Sequence, residues 1–147
     1  VPMYVTRCDA GQTWDGSNCT GVRLNLPWND GNTNYTYLNV TNSISGENNT
    51  INSAPLDANN VTAGIQDHLP IVHCNNLNQD THTDWYLPST TEKQLIQGAK
   101  DSLGNITGNY NTSTENGTSG AVTVTSTGSA ITYRPKTDNQ KHRCARK

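Results

Sequence analysis

The sequence contains no phenylalanine, only one methionine and few lysines, and just 31% of its 147 residues are hydrophobic. A chain of this length can bury one core, but such a small core needs further stabilisation. No apolar run is long enough to span a bilayer, so we expect no membrane insertion of this segment. The net charge of −2 comes without a basic stripe, and the basic run from Arg134 to Lys147 is short and interrupted. We therefore do not expect nucleic acid as a partner.

Four cysteines stand in a chain rich in Asn, Thr, Ser and Gly, which indicates an oxidising compartment. Three pairings are possible, and the sequence spacing favours Cys8 with Cys19 and Cys74 with Cys144. Zinc is the alternative use of four cysteines, but there is no C-x-x-C pair, so we expect disulfides. Because the sequence starts at Val1 without an initiator methionine, we expect a processed protein, or a fragment whose leader or anchor has been removed.

The clearest local pattern is Trp-x-Leu-Pro followed by Ser-x-x-Glu at residues 85–92. Pro88 favours an extended Leu87, and Ser89 with Glu92 matches a capping box, so we predict a helix that begins here. Gly104 is placed to end that helical stretch. This segment contains no reactive group, and we interpret it as scaffold. The predicted structural core positions are Trp14, Trp85, Leu87, Pro88, Ser89 and Glu92.

The remaining patterns predict one α+β domain over residues 1–147. Alternating apolar residues predict strands on both sides of the first cysteine loop and a terminal meander after the helices. A first helix is expected at residues 67–77, with Pro70 in its opening turn. The predicted strands are 2–7, 21–26, 121–125, 130–134 and 141–145. Residues 126–129 are predicted to join 121–125 to 130–134. Two stretches are predicted to lie at the surface, namely a long polar insertion at 28–62 and a polar loop at 105–119.

Three histidines, His68, His73 and His82, lie near Cys74 and Asp84 in the sequence, which suggests a metal site or Cys–His catalysis. A disulfide-bonded Cys74 would offer no thiolate. There is also no Ser-His-Asp arrangement, paired-carboxylate motif or phosphate-binding glycine loop. We therefore expect surface histidines on a helix, no catalytic residues and no enzyme activity.

The triplet Trp28-Asn29-Asp30 is similar to the calcium-binding triplet of animal C-type lectins, and its hard oxygen donors suit calcium. Its position argues against that role, because the triplet precedes both predicted helices and no Glu-Pro-Asn loop accompanies it. We expect a plain turn at Asn29-Asp30-Gly31 and no metal or other cofactor, with calcium as the less favoured alternative.

Several motifs occur together in a characteristic order. They are Cys8-x-x-Gly11-Gln12-Thr13-Trp14-Asp15-Gly16-Ser17-x-Cys19-Thr20-Gly21, Cys74-x-x-Leu77, Asp84-Trp85-x-Leu87-Pro88-Ser89-x-x-Glu92 and Arg143-Cys144-Ala145-Arg146. In these motifs and their order, the chain resembles the Lcl-type C-terminal domain of collagen-like bacterial adhesins over nearly its full length. That family has a C-type-lectin-like fold related to the formylglycine-generating enzymes.

The resemblance implies two helices packed on a small twisted antiparallel sheet, termini close together and long irregular loops on one side. It also implies a place on pilin-like, collagen-like or phage-encoded surface proteins and a role in binding glycans or other surface ligands. The family usually has Tyr-Trp-Ser-Ser where this chain has residues 109–113, Asn-Tyr-Asn-Thr-Ser. Because the resemblance points to bacteria or their phages, we interpret the N-x-S/T sequons chiefly as a consequence of composition. They begin at Asn18, Asn34, Asn39, Asn48, Asn60, Asn105, Asn111 and Asn116.

Aromatic and amide side chains in loops are suited to sugar binding, because rings stack on pyranose C–H faces and amides hydrogen-bond to hydroxyls. The expected ligand-binding residues are Trp28, Asn29, Asp30, Asn32, Tyr35, Tyr37 and Tyr110. We therefore expect an extracellular, non-catalytic adhesion module that binds a surface glycan or protein. The alternative is a self-associating structural subunit of a pilus-like filament or a decoration protein on a virion surface.

Overall fold

The computed structural model describes residues 2–57, 65–128 and 130–147. This part of the chain forms an α+β domain with antiparallel strand pairs, which confirms the predicted α+β class. The expectation of two helices on one sheet is wrong, because the described residues form four helices and three small sheets. The helices are α1 (Gly46–Asp57), α2 (Leu69–Asn75), α3 (Thr90–Gly98) and α4 (Lys100–Leu103). The strands are β1 (Tyr4–Val5), β2 (Thr13–Trp14), β3 (Cys19–Thr20), β4 (Asn109–Asn116), β5 (Gly120–Thr125), β6 (Ile131–Pro135) and β7 (Ala145–Arg146). The sequon at Asn60, the end of the 28–62 segment and Ser129 of the predicted turn lie outside the described residues.

The largest sheet has the strand order β4-β5-β6 and is antiparallel throughout. Its register places Tyr110 opposite Val124, and Val122 opposite Tyr133. The β5–β6 pair is the hairpin that the sequence predicted. Strand β1 pairs with β7 at the other end of the chain, so the first and last strands lie side by side.

Both predicted disulfides are formed. Cys8–Cys19 closes the β2–β3 hairpin, and Cys74–Cys144 joins α2 to the segment before β7 across 70 residues. In the chain-entropy model such loops stabilise the fold by about 3 and about 4 kcal/mol respectively. They compensate for a core that is small for a chain of this length.

The predicted capping box is present at the start of α3. The Glu92 N–H donates to the Ser89 side chain over 3.4 Å, and the Ser89 N–H donates to the Glu92 carboxylate over 2.9 Å. The same carboxylate accepts the Gly46 N–H over 2.8 Å, so Glu92 also fixes the start of α1. Gly104, which follows α4, has a φ of +68°. The predicted core positions Trp85, Leu87, Pro88, Ser89 and Glu92 are all buried.

The prediction of a long surface insertion at residues 28–62 is only partly correct in its described part, because most of its side chains are exposed but several are buried. Trp28, Val40 and Ala54 belong to the main hydrophobic core, and residues 46–57 form α1. The backbone here is tied to the sheet because the carboxylate of Glu115 in β4 accepts the N–H groups of Leu38 and Val40. Polar contacts therefore tie this polar stretch to the domain.

The prediction of a polar loop at residues 105–119 is wrong, because most of it is strand β4 with buried side chains. Their polar groups are satisfied internally. Thr112 donates to the Val122 carbonyl over 2.8 Å, and the Asn111 amide donates to the Leu26 carbonyl over 3.1 Å. The strand predicted at 21–26 is reduced to an isolated bridge between Leu26 and Gln140.

No helix in the described ranges combines the length and apolar character that crossing a bilayer requires.

Candidate functional site

A cleft of about 600 Å³ lies between the Cys8–Cys19 loop and the C-terminal end of α2. Residues 6–14 form one wall. The other side is lined by His73, Leu77, Gln79, Asp80 and Cys144. This volume is within the range of about 300–1,000 Å³ that is usual for small-ligand sites.

Trp14 is the aromatic side chain of this cleft, and the prediction that it belongs to the core is wrong. It is only partly buried and lies on the two-residue strand β2. Its neighbours along the loop are mostly Gly, Asp, Ser and Asn, which provide little apolar surface to cover an indole. The guanidinium of Arg7 stands 3.8 Å from the centre of the indole, a cation–π arrangement. Arg7 therefore covers one face of the indole, and its N–H groups lie next to the aromatic ring.

Gln79 and Asp80 of the cleft lining belong to a tight turn from Gln79 to His82. Gln79 and His82 exchange backbone hydrogen bonds of 3.0 Å. Between them Asp80 and Thr81 have φ values of +54° and +66°. This conformation is unusual for a β-branched residue and costs on the order of 1–3 kcal/mol per residue. The strained turn holds the exposed carboxylate of Asp80 at the edge of the cleft.

Two residues of the cleft lining, His73 and Cys144, belong to a group that also contains the buried Cys74 and His142. Nε2 of His142 lies 2.9 Å from Nδ1 of His73, and the two rings meet edge to face. Burial lowers the pKa of His73. Burial, followed by repulsion from His73 and Lys93 in their protonated forms, lowers the pKa of His142 well below its usual value. Both imidazoles are therefore neutral at neutral pH.

The expectation of surface histidines is only partly correct. His82 is partly exposed, with Nδ1 3.9 Å from the Asp84 carboxylate. His73 is half-buried at the cleft. His68 is fully buried and meets the ring of Trp28 edge to face at 4.9 Å between centroids, so it belongs to the interior.

A buried charged network lies behind the cleft wall. The carboxylate of Asp9 forms ion pairs of 2.6 Å with both Arg23 and Arg143, and it accepts the Tyr110 hydroxyl over 2.9 Å. The Lys93 ammonium lies 4.0 Å from the centre of the Tyr110 ring. Burial, with a smaller contribution from Arg143, lowers the pKa of Lys93 to about 7. Burial, followed by the charge of Asp9, raises the pKa of Tyr110.

Three of the seven expected ligand-binding residues, Trp28, Asn29 and Tyr110, are fully buried, and a ligand-binding role for them is wrong. The indole of Trp28 donates to the Thr112 carbonyl over 2.7 Å, so it anchors its segment to β4. A pairing of this kind over 84 residues has no local signature in the sequence.

Asp30, in the predicted turn Asn29-Asp30-Gly31, and the adjacent Asn32 remain at the surface. The side-chain oxygen of Asn29 accepts the Gly31 N–H, and that of Asp30 accepts the Asn32 N–H, both over 2.9 Å. Asp30 also accepts the side-chain amide of Gln66 over 3.0 Å. These oxygens serve the loop's own hydrogen bonding.

Tyr35 and Tyr37 lie on a different surface from the cleft. Tyr35 borders a more open depression of about 450 Å³ together with Asn116, Tyr133 and Arg134. The exposed Tyr37 donates its hydroxyl to the side chain of Asn39 over 3.1 Å. The predicted set is thus divided between the interior, a turn and this second surface.

Comparison with protein-family models finds none that matches the chain, and comparison with curated proteins likewise finds no match. Function is therefore inferred from the geometry of the described residues.

Proposed function

We propose that this chain is an extracellular, non-catalytic recognition module that binds glycans in the cleft beside Trp14. We also propose that its fold is C-type-lectin-like, of the Lcl-type adhesin family. The motif order supports the family, and the pairing of β1 with β7 agrees with the close termini that such domains have. The observation that carries the binding proposal is a partly exposed indole with an arginine against it, in a cleft flanked by both disulfides.

The chemistry of the cleft suits a sugar. An indole presents an apolar face to pyranose C–H groups, while Arg7, Gln79 and Asp80 supply donors and an acceptor for hydroxyls. Disulfides at the cleft lining restrain the backbone before the ligand arrives, which lowers the ordering cost of binding. Two disulfides also favour an extracellular or virion-surface location, where they persist.

A glycan array is the direct test, with the wild-type chain, Trp14→Ala and the matched control Tyr133→Ala. Both variants remove a partly or largely exposed aromatic side chain, but Tyr133 borders the other depression. We expect a glycan signal that Trp14→Ala loses and Tyr133→Ala keeps, with both variants showing wild-type circular dichroism. Absence of any glycan signal, or its loss only in Tyr133→Ala, would reject this site.

The second candidate function is that of a structural subunit which associates through its sheet. Strand β6 forms one edge of the described three-stranded sheet, and it exposes Ile131 and Tyr133. An open, apolar edge can pair with a second chain. Sedimentation velocity would favour this function if the wild-type chain polymerised, Ile131→Lys stayed monomeric, and the array showed no glycan.

A further inference from the structure

Four side chains of the types that bind zinc lie together beside the cleft, and two of them, His73 and Cys144, line it. His73 and Cys74 come from the last turn of α2, and His142 and Cys144 come from the segment that leads into β7. One potential ligand atom from each residue lies within 4.8 Å of every other. The two sulfurs are joined in a disulfide, so neither is present as the thiolate that binds zinc.

We propose that reduction of the Cys74–Cys144 disulfide converts this group into a four-coordinate Zn²⁺ site with two thiolate and two imidazole ligands. Two thiolates and two imidazoles are a common ligand set for structural zinc. Soft thiolates select zinc over hard cations such as calcium or magnesium. The site would cross-link α2 to the C-terminal segment in surroundings where disulfides do not persist.

The distances between the donor atoms are close to those that zinc requires. Zn–N and Zn–S bonds of about 2.0–2.3 Å place the ligand atoms of a tetrahedral site about 3.3–3.8 Å apart. Nε2 of His142 is 2.9 Å from Nδ1 of His73, and Sγ of Cys144 is 3.9 Å from the same atom. The imidazoles need only a small separation, and breaking the S–S bond frees the sulfurs to move apart.

The backbone that carries the C-terminal pair is held independently of the disulfide. The Ala10 N–H donates to the His142 carbonyl, and the Thr6 N–H donates to the Cys144 carbonyl, both over 3.0 Å. These bonds do not involve the sulfurs, so they can hold His142 and Cys144 against residues 6–10 after the disulfide is reduced.

The net charge of the proposed site also favours a metal. A zinc ion with two thiolates and two neutral imidazoles has no net charge. Its burial therefore avoids the desolvation penalty of an uncompensated ion.

The conversion needs a two-electron reductant, for which a phosphine serves in the test. The phosphine takes the oxygen of a water molecule and becomes a phosphine oxide, while two electrons and two protons go to the sulfurs as two thiols. Zn²⁺ then displaces both thiol protons into solution and forms two Zn–S bonds.

The experiment measures zinc uptake by the whole chain before and after phosphine reduction, with Co²⁺ absorption as the probe of tetrahedral thiolate coordination. Cys8→Ser/Cys19→Ser retains only the proposed ligand thiols, and Cys74→Ser/Cys144→Ser is its matched control. His73→Ala removes a ligand, and His82→Ala removes a histidine outside the cluster. For a variant that does not fold, alkylation of the reduced, zinc-loaded wild type identifies the thiols that the metal protects.

We expect one Zn²⁺ per chain after reduction only, with Cys74 and Cys144 protected from alkylation and Cys8 and Cys19 modified. Loss of an outer-shell partner weakens zinc binding roughly 10–100-fold, and loss of a direct ligand should weaken it at least as much. We therefore expect the zinc affinity of His73→Ala to drop by at least this factor, and that of His82→Ala to equal the wild-type value. Equal uptake by the oxidised chain, uptake that survives Cys74→Ser/Cys144→Ser, or no uptake by the reduced wild type would overturn the proposal.

Discussion

The buried Lys93 makes the stability of this domain depend on pH in a direction that can be measured. Its side chain lies in α3 with no exposed surface, and its ammonium has no hydrogen-bond partner in the described part of the chain. It faces the ring of Tyr110, and burial lowers its pKa from 10.5 to about 7. The folded protein therefore favours the neutral amine.

The sign of the effect follows from the protons bound in each state. In the unfolded chain Lys93 keeps its proton up to about pH 10.5, whereas in the folded protein it loses it near pH 7. Between these values the unfolded state binds one more proton, so the free energy of unfolding rises with pH by up to about 1.4 kcal/mol per unit. From about pH 7.5 to about pH 9 the expected gain is about 2 kcal/mol. Above about pH 10 the trend reverses, because burial raises the pKa of Tyr86 and Tyr110.

Urea unfolding of the oxidised protein at several pH values measures this gain. Lys93→Met replaces the ammonium by an apolar group of similar length, and we expect it to abolish the rise between about pH 7.5 and 9. Lys100→Met, in the partly exposed α4, is the matched control and should keep the wild-type slope. A flat wild-type profile, or an equal slope in Lys93→Met, would refute the reasoning.

Three further predictions concern the interior, and each is checked by urea unfolding. Gly46→Ala should lose about 1–3 kcal/mol, since an added Cβ would meet the Leu87 carbonyl; an unchanged midpoint would contradict this close contact. Trp28→Ala should lose about 3–5 kcal/mol as a core truncation, and a wild-type stability would mean that the indole is not buried. Glu115→Ala removes the carboxylate 2.6 Å from the buried Lys136 ammonium and should lose about 3–5 kcal/mol; a neutral effect would argue against a buried pair.

The parts of the fold that could be predicted from sequence are those with local chemical signatures. Ser89 and Glu92 are three residues apart and determine the start of α3 by themselves. Alternating apolar residues in β5 identify it as a strand, and the short separation of Cys8 from Cys19 favours their pairing.

Strand β4 and helix α1 could not be predicted, because neither has an apolar face. The side chains of β4 are polar and buried, and they are satisfied by partners distant in sequence, such as Val122 for Thr112. Helix α1 contains Pro55 and is held by polar contacts such as the bond from Asn49 to Ser113 over 3.0 Å. Hydrophobic periodicity carries no information about such elements.

The candidate site was missed for a related reason. Trp14 is a large aromatic residue, which favours a core position, but its loop lacks the apolar residues needed to bury it. Arg7 and Asp80 join it only through the fold, on separate loops. By contrast Trp28 and Tyr110 were expected at the ligand surface because polar residues surround them in sequence, yet long-range hydrogen bonds bury both.

The most direct test of glycan binding in the cleft is a fluorescence titration with an array-selected glycan. Trp28 and Trp85 are buried, so acrylamide should quench chiefly the fluorescence of Trp14. Bound glycan should shield Trp14 from acrylamide, and this protection should saturate at the same glycan concentrations as binding does. The account predicts this protection in the wild type and in Tyr133→Ala, and no binding in Trp14→Ala. Saturable binding that leaves the quenching of Trp14 unchanged would contradict it.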